Sequence, residues 1–148
     1  MMSTIEEELK SNGSYASVAF GESMRPTLTP KTDVVIIEPC KAMPQKYDVI
    51  LYRNDSGKYI LHRVVRVKKE CLVTRGDNTY VNEYVPFASV VGIMTSFVRN
   101  GKRIEAGSKS YVSHSKIRLF FYPIRKIYVK TRAFLGKIKR SIIKKESK

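Results

Sequence analysis

The spacing of apolar and polar positions changes period twice along this chain. Thr4 to Ser11 carries scattered apolar residues among acids and predicts a short helix. Ser3 or Thr4 suits its N-cap, Glu6 to Glu8 suit the positive end of its dipole, and Asn12-Gly13 stops it. From Ser14 the period becomes that of strands. Ser14–Phe20 alternates loosely, Asp33–Glu38 holds the run Val34-Val35-Ile36-Ile37, and Tyr47–Arg53 is a clear strand. Asn54-Asp55-Ser56-Gly57 is turn chemistry, so Lys58–Val67 folds back on Tyr47–Arg53 as a hairpin. Cys71–Arg75 returns after the turn Lys68-Lys69-Glu70, Gly76-Asp77-Asn78 turns again, and strands follow over Ser89–Val98 and near Arg103. Gly21 to Thr32, with two prolines, is a loop.

Many short strands with almost no helix before residue 110 predict a mainly β domain, a compact mixed sheet, over residues 1–112. Residues 113–148 form a second segment. From Ser115 to Lys145 the period is helical: Ile117, Phe120, Phe121, Ile124, Ile127, Phe134 and Leu135 follow one stripe, with Lys and Arg opposite. Pro123 marks a break or a first helical turn within it.

Charge sharpens this division. The chain has 148 residues and a formal net charge of +15. Lys116 to Lys148 holds 12 Lys/Arg against the single acid Glu146, a net +11, which leaves only +4 for the first 115 residues. The basic character belongs to the tail, so the two parts are expected to bind different things. A basic amphipathic helix over Lys116–Lys145 suits an anionic membrane surface first, packing on the domain second and nucleic acid last, because a phosphate-binding arm has no need of so many large apolar residues.

No apolar run reaches the roughly 18–20 residues of a membrane-spanning helix, and the acidic start lacks the basic and apolar regions of an export signal. The expectation is a cytoplasmic chain, peripheral on the inner face of a membrane. Cys40 and Cys71 lack the spacing of a zinc site and are expected as reduced thiols packing like small apolar residues, with a disulfide left open. No cofactor or metal is expected.

Three stretches could carry chemistry. Gly21-Glu22-Ser23-Met24-Arg25-Pro26-Thr27-Leu28 is a tight loop around a serine, where backbone N–H groups could face an oxyanion; an ordinary surface turn has the same composition. Tyr59-Ile60-Leu61-His62-Arg63-Val64-Val65 puts His62 mid-strand on one face with Ile60 and Val64, which fits a core residue as well as a general base. Thr74-Arg75-Gly76-Asp77-Asn78 is a good turn and also offers Asp77 as a carboxylate to orient an imidazole. His114 is expected in a solvent-exposed loop.

Taken in order, Gly-x-Ser-Met-x-Pro-Thr-Leu, a strand with Asp-Val, His-Arg-Val-Val, Gly-Asp-Asn and Val-Val-Gly resemble type I signal peptidase over roughly Ser14 to Met94. Histidine at 62, where many bacterial members carry lysine, resembles the archaeal, endoplasmic-reticulum and sporulation-associated branch. The wider superfamily includes the LexA-type self-cleaving repressors, which share the β fold. The resemblance implies a serine endopeptidase acting on a leader or signal segment of a peptide or protein. Ser23 is then the nucleophile, His62 the general base, Asp77 its acidic partner, and the Ser23 N–H part of the oxyanion hole. Met24 and Pro26, beside the nucleophile, are the candidate substrate contacts, and Asp33 and Asp48 match structural aspartates at the start of two strands.

The chain departs from the family in two ways. The His-type branch carries a further acid after Gly-Asp-Asn, for which Asn82 or Glu83 stands here, and the usual membrane-spanning helices have no counterpart in the sequence. Trimming the leader of a cytoplasmic, modified peptide therefore stands beside export-signal cleavage. The competing reading is a catalytically inactive binding or regulatory module of the same fold on membrane or nucleic acid.

Overall fold

A computed structural model describes residues 4–146, and side chains as far as residue 136. It divides into two units, residues 1–116 and 117–148. The first unit begins with α1 (Ile5–Asn12). Thr4 caps this helix: its side chain accepts from the Glu7 N–H while Glu7 reaches back to the Thr4 N–H, and Gly13, at φ 71°, closes the far end. Strands β1 (Tyr15–Val18), β2 (Val34–Glu38), β3 (Val49–Arg53), β4 (Tyr59–Val67), β5 (Cys71–Arg75), β6 (Glu83–Pro86), β7 (Val90–Arg99) and β8 (Lys102–Glu105) follow.

The strands form one eight-stranded sheet in the order β1-β2-β7-β3-β4-β5-β6, with β8 also paired to β7. Every strand pairing among the described residues is antiparallel, which corrects the expected mixed sheet. The β3–β4, β4–β5 and β7–β8 links are short reversals, and parallel neighbours need long crossovers instead. Strand β6 was not anticipated. Its four residues end in Pro86, which only an edge strand tolerates, and its ladder to β5 runs from Thr74↔Glu83 to Cys71↔Pro86.

The central strand β3 is buried at four of its five positions, because both faces of the sheet are covered. Val49 and Leu51 join a core with Leu9, Met24, Leu28, Val35, Ile37 and Phe97. Ile50 and Tyr52 join a smaller core with Val64, Leu72 and Val85. Helix α1 docks on the first core through Leu9, and the Tyr59 hydroxyl donates to Glu6, tying α1 to the start of β4.

Helix α2 (Lys109–Glu146) begins earlier than its periodicity suggests and runs through Pro123 without ending. Pro123 only forgoes the bond to the carbonyl four residues back. The early start has a tertiary cause: Tyr111 and Ser115, one turn apart, are both buried in the first unit. His114 is exposed as expected, but it sits on this helix. Cys40 and Cys71 are free thiols; Cys40 is exposed rather than packed, and Cys71 is half-buried. No described helix is long and apolar enough to cross a membrane.

Candidate active site

The Ser23 loop is held from two sides. Within it, the Arg25 N–H donates to the Glu22 carbonyl and the Leu28 N–H to the Met24 carbonyl, winding residues 22–28 into a compact turn. Met24 and Leu28 point into the first core and anchor that turn, which leaves Ser23 half-buried at its rim. From outside, the Asn78 N–H donates to the Ser23 carbonyl at 2.7 Å and the Asn78 side chain to the Glu22 carbonyl at 3.2 Å. The Gly76-Asp77-Asn78 turn thus clamps the serine loop.

Gly76 is where the serine and the histidine meet. A Cβ at this position would lie 2.9 Å from the Ser23 Cβ, 3.0 Å from His62 Nε2 and 2.7 Å from the Ser23 carbonyl oxygen. The serine side chain and the imidazole therefore converge on one point, no further apart than the sum of the first two distances. Glycine is required here by close approach, and a larger residue would occupy the space between the two groups.

His62, 8% exposed, lies mid-β4 opposite Ile50 of β3. Its Nδ1 is 2.5 Å from Glu83 Oε2. A carboxylate only accepts, so Nδ1 is the donor to Glu83, and Nε2 is the ring nitrogen on the Gly76 side. The Tyr52 hydroxyl also donates to Glu83 Oε2 and lies 3.4 Å from Nδ1. Burial, reinforced by the Glu83 carboxylate, pushes the Tyr52 pKa up, so this hydroxyl stays protonated and keeps donating.

Asp77 does not play the part expected of it. Its carboxylate takes a two-pronged bond from Arg63, Nε to Oδ1 at 2.8 Å and Nη2 to Oδ2 at 2.7 Å, and Thr27 Oγ1 donates to the same Oδ2. The acid at hydrogen-bond distance from the imidazole is Glu83. The reason lies in strand alternation: Arg63 follows His62 and so projects to the opposite face of β4, and Asp77 follows it there. Arg63 is fully buried, and it also donates to the Tyr47 carbonyl, Ser115 Oγ and the Tyr111 hydroxyl. Burial alone would lower its pKa, but the bonds and charge of Asp77 outweigh that, so the guanidinium stays charged. Asp77 is thus the brace of the turn that clamps Ser23.

Of the two residues left open after Gly-Asp-Asn, Asn82 is an amide whose Oδ1 accepts from Arg75 Nη1 at 3.2 Å, and Glu83 faces the histidine. Tyr52 and Gly76 were not singled out from the sequence. Tyr52 shares the Ile50 face of the strand paired with β4, which was the available signal. Asp33 is fully buried against Arg99, and Asp48 Oδ2 accepts from the Gln45 N–H at 2.7 Å, both structural as expected. No group of three or more metal-ligating side chains occurs among the described residues.

An apolar groove of about 400 Å³ includes Ser23 in its lining. Ser17 and Val18 of β1, Phe20, Met24, and Ile60 and Leu61 of β4 contribute to its lining. Met24 lines the groove from the core side. Pro26 does not: the turn directs Met24 inward and leaves Pro26 exposed, outside the lining. No protein-family model matches the chain, and neither does any curated protein.

Proposed function

We propose that the chain is a serine endopeptidase of the signal-peptidase type, with Ser23 as nucleophile, His62 as general base and Glu83 as the acid that orients it. The observation that carries this reading is the convergence of the Ser23 side chain and His62 Nε2 at Gly76, with Nδ1 held by Glu83. Nucleophile, base and orienting acid then stand in the order that acyl transfer needs.

In this mechanism Ser23 Oγ attacks the scissile carbonyl carbon while His62 Nε2 takes the hydroxyl proton. Glu83 stabilises the imidazolium and Tyr52 steadies Glu83. The Ser23 N–H faces the developing oxyanion. His62 returns the proton to the leaving amine as the C–N bond breaks, and an ester to Ser23 remains. Water, deprotonated by the same imidazole, then hydrolyses the ester and frees the serine.

The groove supports an extended, largely apolar peptide as substrate. Strand β1 is the end strand of the sheet, so one edge of its backbone is open to pairing with an added strand. The β4–β5 ladder begins only at Arg63, which leaves Tyr59 to His62 without a β5 partner on the other flank of the groove. A leader or signal segment, cut at a bond lying over Ser23, fits both edges.

A fluorophosphonate probe tests the proposal. Intact-mass analysis is expected to find one adduct, mapped to Ser23, in the wild-type chain and none in Ser23→Ala; His62→Ala is expected to label far more slowly. Equal labelling of wild type and Ser23→Ala, or labelling of neither, would remove the catalytic reading.

A further inference from the structure

The second unit holds residues 117–148, and the described part of its helix is unlike a water-soluble surface helix. Phe120, Phe121, Ile124, Ile127, Phe134 and Leu135 are between 47% and 75% exposed. At 3.6 residues per turn these six fall within an arc of about 140°. Arg118, Arg125, Lys126, Lys130 and Arg132 fall outside that arc, on the remaining surface of the same cylinder. Five more lysines and arginines follow in sequence before the only acid, Glu146. The helix therefore presents a continuous apolar face and a continuous cationic face.

We infer that this helix is a docking element for an anionic lipid bilayer, lying in the plane of the interface with its apolar face among the acyl chains and its cations among the headgroups. Three occupants compete for such a surface, and charge complementarity chooses between them. A second copy would bring a net +11 segment against another of the same sign, each with the single acid Glu146 against 12 Lys/Arg. A nucleic acid would satisfy the cations but leave the six large apolar side chains in water. An anionic bilayer satisfies both faces at once, because phosphate headgroups lie directly above the acyl boundary. Pro123 sits within the helix, and its missing N–H is tolerated in an element that rests on a fluid surface. The inference does not depend on Ser23 chemistry and stands or falls separately from it.

Flotation of the full chain on a sucrose gradient tests it, using vesicles of phosphatidylglycerol and phosphatidylcholine in equal parts, and of phosphatidylcholine alone. The wild-type chain is expected to float with the anionic vesicles and to do so poorly with the neutral ones, with 1 M salt weakening the binding. Replacing three cations together (Lys126→Gln, Lys130→Gln, Arg132→Gln) is expected to lower the partition coefficient about a hundredfold. Replacing three apolar residues together (Phe120→Ser, Ile127→Ser, Phe134→Ser) is expected to lower it by at least about tenfold. The chain has no tryptophan, so Phe120→Trp places a single reporter on the apolar face. Its emission is expected to move to shorter wavelength on anionic vesicles and to be quenched by brominated lipid. A wild-type chain that stays at the bottom of the anionic gradient overturns the inference. So does a reporter whose emission is unchanged on bound vesicles, an apolar-face variant that floats like wild type, or a chain that instead dimerises or shifts an oligonucleotide without floating.

Discussion

His62 Nδ1 lies 2.5 Å from Glu83 Oε2, a contact that joins β4 to β6 across the intervening β5. The Tyr52 hydroxyl donates to the same oxygen, so the carboxylate is fixed from two sides. On the proposed mechanism this anion stabilises the imidazolium that forms when His62 takes the serine proton. Glu83→Gln keeps the shape but removes the charge and can present an amide N–H to Nδ1, favouring the wrong tautomer. Its kcat for peptide cleavage is expected to fall by roughly a hundred- to ten-thousand-fold, with KM little changed. A variant with unaltered kcat would remove Glu83 from the site.

Gly76 separates the serine from the histidine by close contact alone. In Gly76→Ala the new methyl carbon would stand 2.7 Å from the Ser23 carbonyl oxygen and 3.0 Å from His62 Nε2, so backbone or imidazole must move. Displacement of reacting groups by about an ångström costs on the order of a hundredfold in rate. We expect a loss of that size in kcat/KM, and loss of fluorophosphonate labelling, while the circular dichroism of the β domain is preserved. An alanine variant that labels as fast as wild type would place the reacting groups elsewhere.

Which parts of this arrangement were legible in the sequence follows from what each residue depends on. The helix Thr4–Ser11, the β3–β4 hairpin and the strand carrying His62 were visible because local spacing and turn residues determine them. Ser23 and His62 were legible through the motif order. The partner of His62 was not, since it depends on which face of β4 each neighbour takes and on β6, whose four residues carry no strong strand signal and end in proline. Asp77 looked like that partner because it is an acid in a tight turn. The structure gives it to Arg63, whose burial no sequence pattern announces. The early start of α2 was hidden for a similar reason: Tyr111 and Ser115 are there to meet Arg63, a tertiary contact.

The Arg63–Asp77 pair therefore belongs to stability first. Arg63→Met leaves the Asp77 carboxylate buried without its Arg63 cation, removes the Arg63 bond to the Tyr47 carbonyl and costs the Ser115 hydroxyl one of its two hydrogen bonds. Breaking a buried pair by removing one partner costs about 3–5 kcal/mol. Urea unfolding is expected to give a loss in that range for Arg63→Met. Adding Asp77→Asn to it should cost less than the two single losses together, because the second change relieves the charge that the first left uncompensated. Strict additivity would deny that the pair acts as a unit.

Acid sensitivity has a separate source in Asp33. This carboxylate is fully buried at the head of β2, accepts from Arg99 Nε at 3.0 Å and from the Thr29 N–H at 2.7 Å, and also pairs with Arg99 Nη2. Burial alone would raise its pKa; the Arg99 hydrogen bonds, the Thr29 bond and the Arg99 charge outweigh burial and hold it below the usual carboxylate value. A carboxylate of about 3.9 in the unfolded chain that is depressed on folding contributes stability in full above that pH. The contribution is lost as pH falls through the folded value. Asp33→Asn removes the charge at every pH. Urea midpoints at pH 7 and pH 5 are therefore expected to be lower for Asp33→Asn than for wild type by a constant amount. The gap should narrow below about pH 4, since wild type then loses what the variant never had. A gap that stays constant to pH 2, or widens there, would show that Arg99 holds Asp33 through its shape and hydrogen bonds rather than through the ionised carboxylate.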